Sequence, residues 1–440
     1  MSAILSAFKD VDLRKKILFT IAMIILYRIG AQIPSPGINY ASISGRLREL
    51  TQDQSSVYSL INLFSGGALL QLSIFAIGIM PYITASIIVQ LLTVVIPHFE
   101  ELKKEGQSGQ TKMTQYTRYL TVGLALLQAS GIVALADRGQ LLGGGVEVLK
   151  HDRNIFDLVV LVLSMTAGAV LVMWIGEMMT EKGIGNGMSL LIFAGIATRL
   201  PTDGISILTR SGGVVFAAVM VAVVILVVGV VFIEQGQRRI PVQYAKRMVG
   251  RRQYGGTSTY LPLKVNQAGV IPVIFASSLI YVPVLITQIV QSGSTQPSDN
   301  WWQRNVIQYL QTPSSWQYIV LYFVLIIFFS YFYVSVQYDP NEQADNMKKY
   351  GGFIPGIRPG RPTAQYLGYV MNRLLFVGAL YLGVIAVLPN IMLELGVSAS
   401  SSSSTPFGGT AILILVSVAL TTVKQIESQL LQSNYEGFLK

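Results

Sequence analysis

The chain offers little of the chemistry that side chains usually supply. Its two histidines, His98 and His151, stand 53 positions apart, and there is no cysteine. Without thiols there is no disulfide framework, zinc ribbon or iron–sulfur cluster, and two distant imidazoles leave almost no metal chemistry. The stretch Gly106–Lys112 has glycines and a lysine, but not the G-x-x-x-x-G-K-[ST] spacing that cradles phosphate. The carboxylates that could relay protons or bind sodium, Asp157, Glu177, Glu234 and Asp339, each sit near the end of an apolar run. An ionisable group at the bilayer centre costs about 2.5–3.5 kcal/mol, so a coupled carrier keeps one there only for function. Arg28 and Arg373 lie within a turn or two of a boundary and can snorkel. These residues imply no enzyme activity, no cofactor and no means of coupling transport to energy. Whatever the chain moves, something else drives.

What spacing does offer is apolar and weakly polar. In the run Gly78–Gln90, Ile79 and Ile83 share a helix face, as do Ser86 and Gln90. Isoleucines that narrow a pore gate it by excluding water, although spacing by itself fits lipid-facing isoleucines better. Gln90 also suits an interhelical hydrogen bond, worth about 0.6 kcal/mol. Gly183, Gly185 and Gly187 alternate around Ile184 and Asn186, which suits a tight hairpin rather than a phosphate cradle.

The elements that must position these residues follow from composition. Of 440 residues, 52% are hydrophobic and 12% charged, where a soluble domain averages about 25% charged; mean hydropathy is +0.54. Soluble enzymes, secreted disulfide scaffolds and disordered proteins are excluded. Apolar runs of spanning length fall at Ile17–Ile33, Ile74–Ile96, Thr117–Ala136, Ile155–Thr180, Ser189–Leu200, Val214–Ile233, Ala268–Ile289, Trp316–Gln337, Tyr366–Leu388 and Thr410–Val423. The fifth is the shortest, about a dozen apolar residues before Arg199 and Pro201, and is expected to continue to Leu208 with a kink. The first follows Arg14, Lys15 and Lys16 but has no A-x-A site after it, so it reads as an uncleaved span. The expected fold is thus an all-α polytopic membrane protein of ten helices, in which two inverted five-helix halves, residues 1–208 and 209–440, are permitted.

Orientation follows from cation counts. With the N-terminus inside, the inner segments hold 22 Lys and Arg and the outer ones 8. Both termini are therefore expected in the cytoplasm. Residues 57–72, glycine-broken and semi-apolar, are expected to form a re-entrant half-helix, which membrane depth tolerates only beside protein or water. Two inner loops are large, 234–267 and 338–365. The first carries seven cations against one carboxylate, Glu234; anionic lipid and an acidic or phosphate-rich partner, RNA included, both suit it. The run 352–360 is expected to form a stiff protruding turn. From the residues alone three readings stay open: a passive channel, a secondary transporter of small solutes and a membrane scaffold.

Several motifs together decide between them. Phe64-Ser65-Gly66-Gly67-Ala68-Leu69, Gly78–Gln90, Lys103-Lys104-Glu105-Gly106, Gly183–Gly187, Gly236-Gln237-Arg238-Arg239-Ile240, Leu261–Asn266, Ala344-Asp345-Asn346 and Pro355–Gly360 closely resemble the SecY family, the pore subunit of the bacterial protein-conducting channel. The resemblance implies a ten-helix clamshell in the plasma membrane that passes unfolded polypeptides across and releases membrane proteins sideways into lipid. Its implied plug includes Asn62, Phe64, Ser65, Gly66 and Gly67. The implied pore ring is Ile79, Ile83, Met188, Ile192, Ile274 and Ile414, where Met188 replaces a frequent isoleucine. Ser86 and Gln90 belong to an implied lateral gate of the second and third spans facing the seventh and eighth. Arg239, Arg247, Arg252 and Arg358 are the implied docking residues for the SecA ATPase or the ribosome. SecE, SecG, signal-bearing polypeptides and membrane lipid complete the implied partners.

Overall fold

The computed structural model describes residues 10–38, 67–69, 71–137, 149, 154–244, 247–249, 252–254, 258–291, 308–311, 315–394 and 409–437. Helix α1 (Val11–Gln32) is capped by Asp10, whose carboxylate accepts from the Asp12 amide. Helix α2 (Met80–Val95) begins with Pro81 in its first turn, where a missing amide hydrogen costs nothing. A second proline, Pro97, starts α3 (Pro97–Lys104), and the pair bends by 99°. Helices α4 (Gln107–Asp137) and α5 (Ile155–Lys182) follow.

Helix α6 (Gly187–Gln235) is two spans in sequence, broken at Gly212. There φ is +81° and ψ 168°, a conformation open to glycine without a Cβ penalty. The helix runs on through Pro201 and past Leu208, as expected, and its non-helical residue is Gly212. Helices α7 (Ile271–Gln291), α8 (Gln308–Gln311), α9 (Trp316–Gln337), α10 (Pro340–Lys349), α11 (Arg361–Glu394) and α12 (Gly409–Gly437) complete the chain.

Each of the ten predicted runs coincides with a helix, although the second starts later, at Met80. Among the described residues six helices, counting the part of α6 after Gly212, are long and apolar enough to cross a membrane, or seven if the bent α2–α3 pair is one span. The others are held back by short apolar stretches, at Gly187–Pro201 and Ile271–Ile280, or by cations, as in α1 with Arg14, Lys15, Lys16 and Arg28.

The two inner loops are not separate. Strand β1 (Gln237–Tyr244) pairs antiparallel with β4 (Ser258–Lys264) and also with β5 (Gly352–Phe353) from the second loop, giving the order β4-β1-β5. At the tip, β2 (Arg247–Val249) pairs with β3 (Arg252–Tyr254). Ile240 and Leu263 bury one face of this sheet against Ile354, Leu367 and Met371, so the platform rests on the foot of α11.

Candidate pore ring and lateral gate

The proposed ring residues come from four helices. Ile79 is the N-cap of α2, and its carbonyl accepts from the Ile83 amide at 3.2 Å, which stacks the two side chains a turn apart. Ile192 sits in the second turn of α6, Ile274 in the first turn of α7 and Ile414 in the second turn of α12. All five isoleucines are buried, from 1% exposed at Ile414 to 9% at Ile83, and all belong to one apolar cluster. Met188 is half-buried against it. Its thioether lies over Gly176, where a Cβ would stand 2.3 Å from the sulfur, so it faces α5 as well as the cluster.

The Gly183–Gly187 hairpin fixes Met188 and Ile192. Asn186 caps α6 by accepting from the amides of Met188 at 3.0 Å and Ser189 at 3.2 Å. Gly185 takes φ +83°, and the Gly187 amide donates to Thr180 Oγ1 at 2.9 Å. The Ile184 amide donates to Thr20 Oγ1 at 3.1 Å, tying the hairpin to α1.

Ser86 and Gln90 are half-buried on α2, and α7 packs against both α2 and α4. Contact across the implied gate is therefore made by α7, with α9 behind it. Ser277 on α7 and Tyr322 on α9, both buried, share a hydrogen bond of 3.0 Å, with Phe275 edge-on to Phe329 beside it. On the inner side Lys103 Nζ donates to the carbonyl of Val336 in the last turn of α9, at 2.5 Å. Sequence reasoning missed both links; the signals were the buried-type pair Tyr318 and Tyr322 at helical spacing and a lysine just after a proline bend.

Of the plug residues, Asn62, Phe64, Ser65 and Gly66 lie outside the described residues. Gly67 is described, with φ +93°. The described part of 57–72, residues 67–69 and 71–72, forms turns rather than helix, and Leu69 and Leu72 pack among Ile132, Leu135 and Met165 of α4 and α5. Arg239 is exposed on β1 and Arg358 on the turn after β5, where Gly356 and Gly360 take positive φ. Arg247 and Arg252 occupy β2 and β3 at the hairpin tip.

An ion pair absent from the sequence reading joins α4 to α5. Arg118 Nε and Nη2 grip the Glu177 carboxylate at 3.0, 3.1 and 2.7 Å. Glu177 is thereby neutralised near a helix end, and it offers no lone midspan carboxylate for coupling.

The SecY family model matches residues 73–423. The protein translocase subunit SecY of Corynebacterium glutamicum is 86% identical over 440 residues, covering the whole of both chains. The chain belongs to the SecY family. The SecY subunit of Mycobacterium tuberculosis is 65% identical over 441 residues, again across both full lengths. Among solved structures, one described as that of a protein conducting channel aligns with a TM-score of 0.64 at 18% identity, covering 93% of this chain and 91% of that one. Sec61 in a canine ribosome-channel complex aligns at 0.61 and 18% identity over the same shares. A structure described as showing that the plug domain of SecY maintains a membrane seal aligns at 0.63 and 20% identity, covering 93% and 91%. The ten-helix arrangement accords with the fold of these channels, and membership of the SecY family sets aside the small-solute transporter.

Proposed function

We propose that this chain is the pore-forming subunit of a protein translocase in a bacterial plasma membrane, with both termini in the cytoplasm. It is a passive conduit rather than an enzyme: SecA or the ribosome supplies the work, and SecE and SecG complete the complex. Unfolded polypeptides with signal sequences pass through the ring of Ile79, Ile83, Met188, Ile192, Ile274 and Ile414. Asn62, Phe64, Ser65, Gly66 and Gly67 form the plug, and Ser86 and Gln90 line the exit to lipid. The observation that carries the reading is the meeting of five isoleucines, from four helices distributed over both halves, in one buried apolar cluster.

The physical logic is that a channel for many unrelated chains gains nothing from specific polar sites, each of which would retain some substrates. Aliphatic side chains yield around a chain and close again, and a narrow apolar constriction excludes water. Among the described residues no Lys, Arg, Asp or Glu is fully buried, which suits a pore without its own coupling. Arg239 and Arg358 stand exposed on the two strand-joined loops, and with Arg247 and Arg252 they form the docking surface for an acidic partner or for ribosomal RNA.

The test is import of a secretory precursor into vesicles that hold the chain with its accessory subunits, SecA and ATP. Import supports the reading, and its absence contradicts it. In the same vesicles Arg358→Glu is expected to reduce SecA-driven import while the channel still assembles; unchanged import would remove that residue from the docking surface.

A further inference from the structure

Glu234 breaks a local rule. It lies in the last turn of α6, where the helix dipole disfavours an anion. It is also the sole carboxylate among seven cations of its loop, yet its hydrogen bond is with a neutral amide. Asn266 Nδ2 donates to Glu234 Oε1 at 2.5 Å and to the carbonyl of Gly269 at 3.2 Å. Asn266 is 4% exposed, and its Oδ1 has no hydrogen-bond partner among the described residues. The hydroxyl of Tyr381, buried on α11, lacks one as well. Two unmet polar groups beside a misplaced carboxylate are a stability cost, and such local conflicts gather at functional positions.

The position explains what the cost could serve. The β1–β4 stalk runs from the rung Gln237–Lys264, through the bond of the Val265 amide to the Gly236 carbonyl at 3.0 Å, to the side-chain rung Glu234–Asn266. Asn266 then leads by way of Gly269 and Val270 into α7. The Val270 carbonyl accepts from the Ile274 amide at 3.3 Å. Behind this junction α11 leaves no slack: a Cβ on Gly378 would stand 2.5 Å from the Val265 carbonyl oxygen. A load on the exposed hairpin therefore reaches Ile274 through a short, packed path.

We infer that the Glu234–Asn266 hydrogen bond is a clasp that transmits partner engagement at the β1–β4 hairpin to α7 and the pore ring. The inference rests on the channel reading above and adds positioning residues to it. Without the clasp the hairpin still binds its motor, but α7 no longer follows.

The experiment uses vesicles containing the complete channel complex, and it reads motor affinity, resting ion conductance and motor-driven import of a secretory precursor. Asn266→Ala and Glu234→Ala are expected to keep wild-type motor affinity and resting conductance while import slows about tenfold. Glu234→Gln is expected to import at the wild-type rate, because its Oε1 accepts the same bond without the charge. Wild-type import in both alanine variants overturns the clasp, as does a Glu234→Gln variant as slow as Glu234→Ala. A fall in motor affinity that matches the fall in import also overturns it, since the pair would then only support the docking surface. Should Asn266→Ala fail to accumulate, Glu234→Ala against Glu234→Gln decides. A wild-type complex that imports nothing brings down the channel reading itself.

Discussion

Gly168 on α5 shows how closely the half around the ring is packed. A Cβ built there would lie 1.9 Å from the carbonyl oxygen of Ile74, which belongs to the turn leading into α2. Gly168→Ala must therefore displace the segment that carries Ile79, and overpacking of this kind costs about 1–3 kcal/mol. A lower midpoint of thermal unfolding in detergent is expected. Gly123 on α4 has nothing within 4 Å of its Cβ position, so Gly123→Ala should hold or raise the midpoint, by up to about 1 kcal/mol of helix propensity. Equal effects of the two substitutions would contradict the packing. Arg118 offers a second residue-scale check. Glu177 is 18% exposed in its side chain and held by two guanidinium nitrogens, so Arg118→Ala is expected to cost about 1 kcal/mol, at the upper end for a partly solvated pair. The same melting curve measures it, and the loss should shrink in high salt.

At the scale of elements, α7 and α9 form one wall. The Ser277–Tyr322 bond and the Phe275–Phe329 contact hold them together, whereas among the described residues no side-chain hydrogen bond joins α2 to α7, and Lys103 closes the inner end of that seam against α9. Opening toward lipid should thus part α2 and α4 from α7 and leave α7 on α9. Lys103→Ala is expected to favour the parted state, giving a lower disulfide yield between one cysteine placed on α2 and one on α7, in a chain with no cysteine of its own. An unchanged yield would exclude Lys103 as a tie. The spans themselves were legible because each is a predominantly apolar run; Trp316–Gln337 was placed to the residue. Less legible was everything set by distant contacts. The late start of α2 reflects turn bonds such as Ala76 amide to Ser73 carbonyl, and the break at Gly212 reflects a backbone preference that many glycines share. Strand β5 is two residues long, too short for any alternating pattern to reveal.

For the whole molecule, two loops 88 residues apart at Lys264 and Gly352 meet on β1, so a partner on either loop engages a single platform above the foot of α11. The sequence placed the arginines in those loops but not the pairing that unites them, since antiparallel pairing across two spans and two short helices leaves no local signature. The ring was legible only through the likeness of Gly78–Gln90 and its companions to a family, because isoleucine spacing is the same for lipid, core or pore. The structure adds that the five isoleucines are buried together. The most direct measurement is the ion conductance of resting channels in a planar bilayer, wild type against Ile83→Ser with Ile192→Ser. An aliphatic seal predicts a silent wild type and a steady leak in the double variant; an equally silent variant would contradict it.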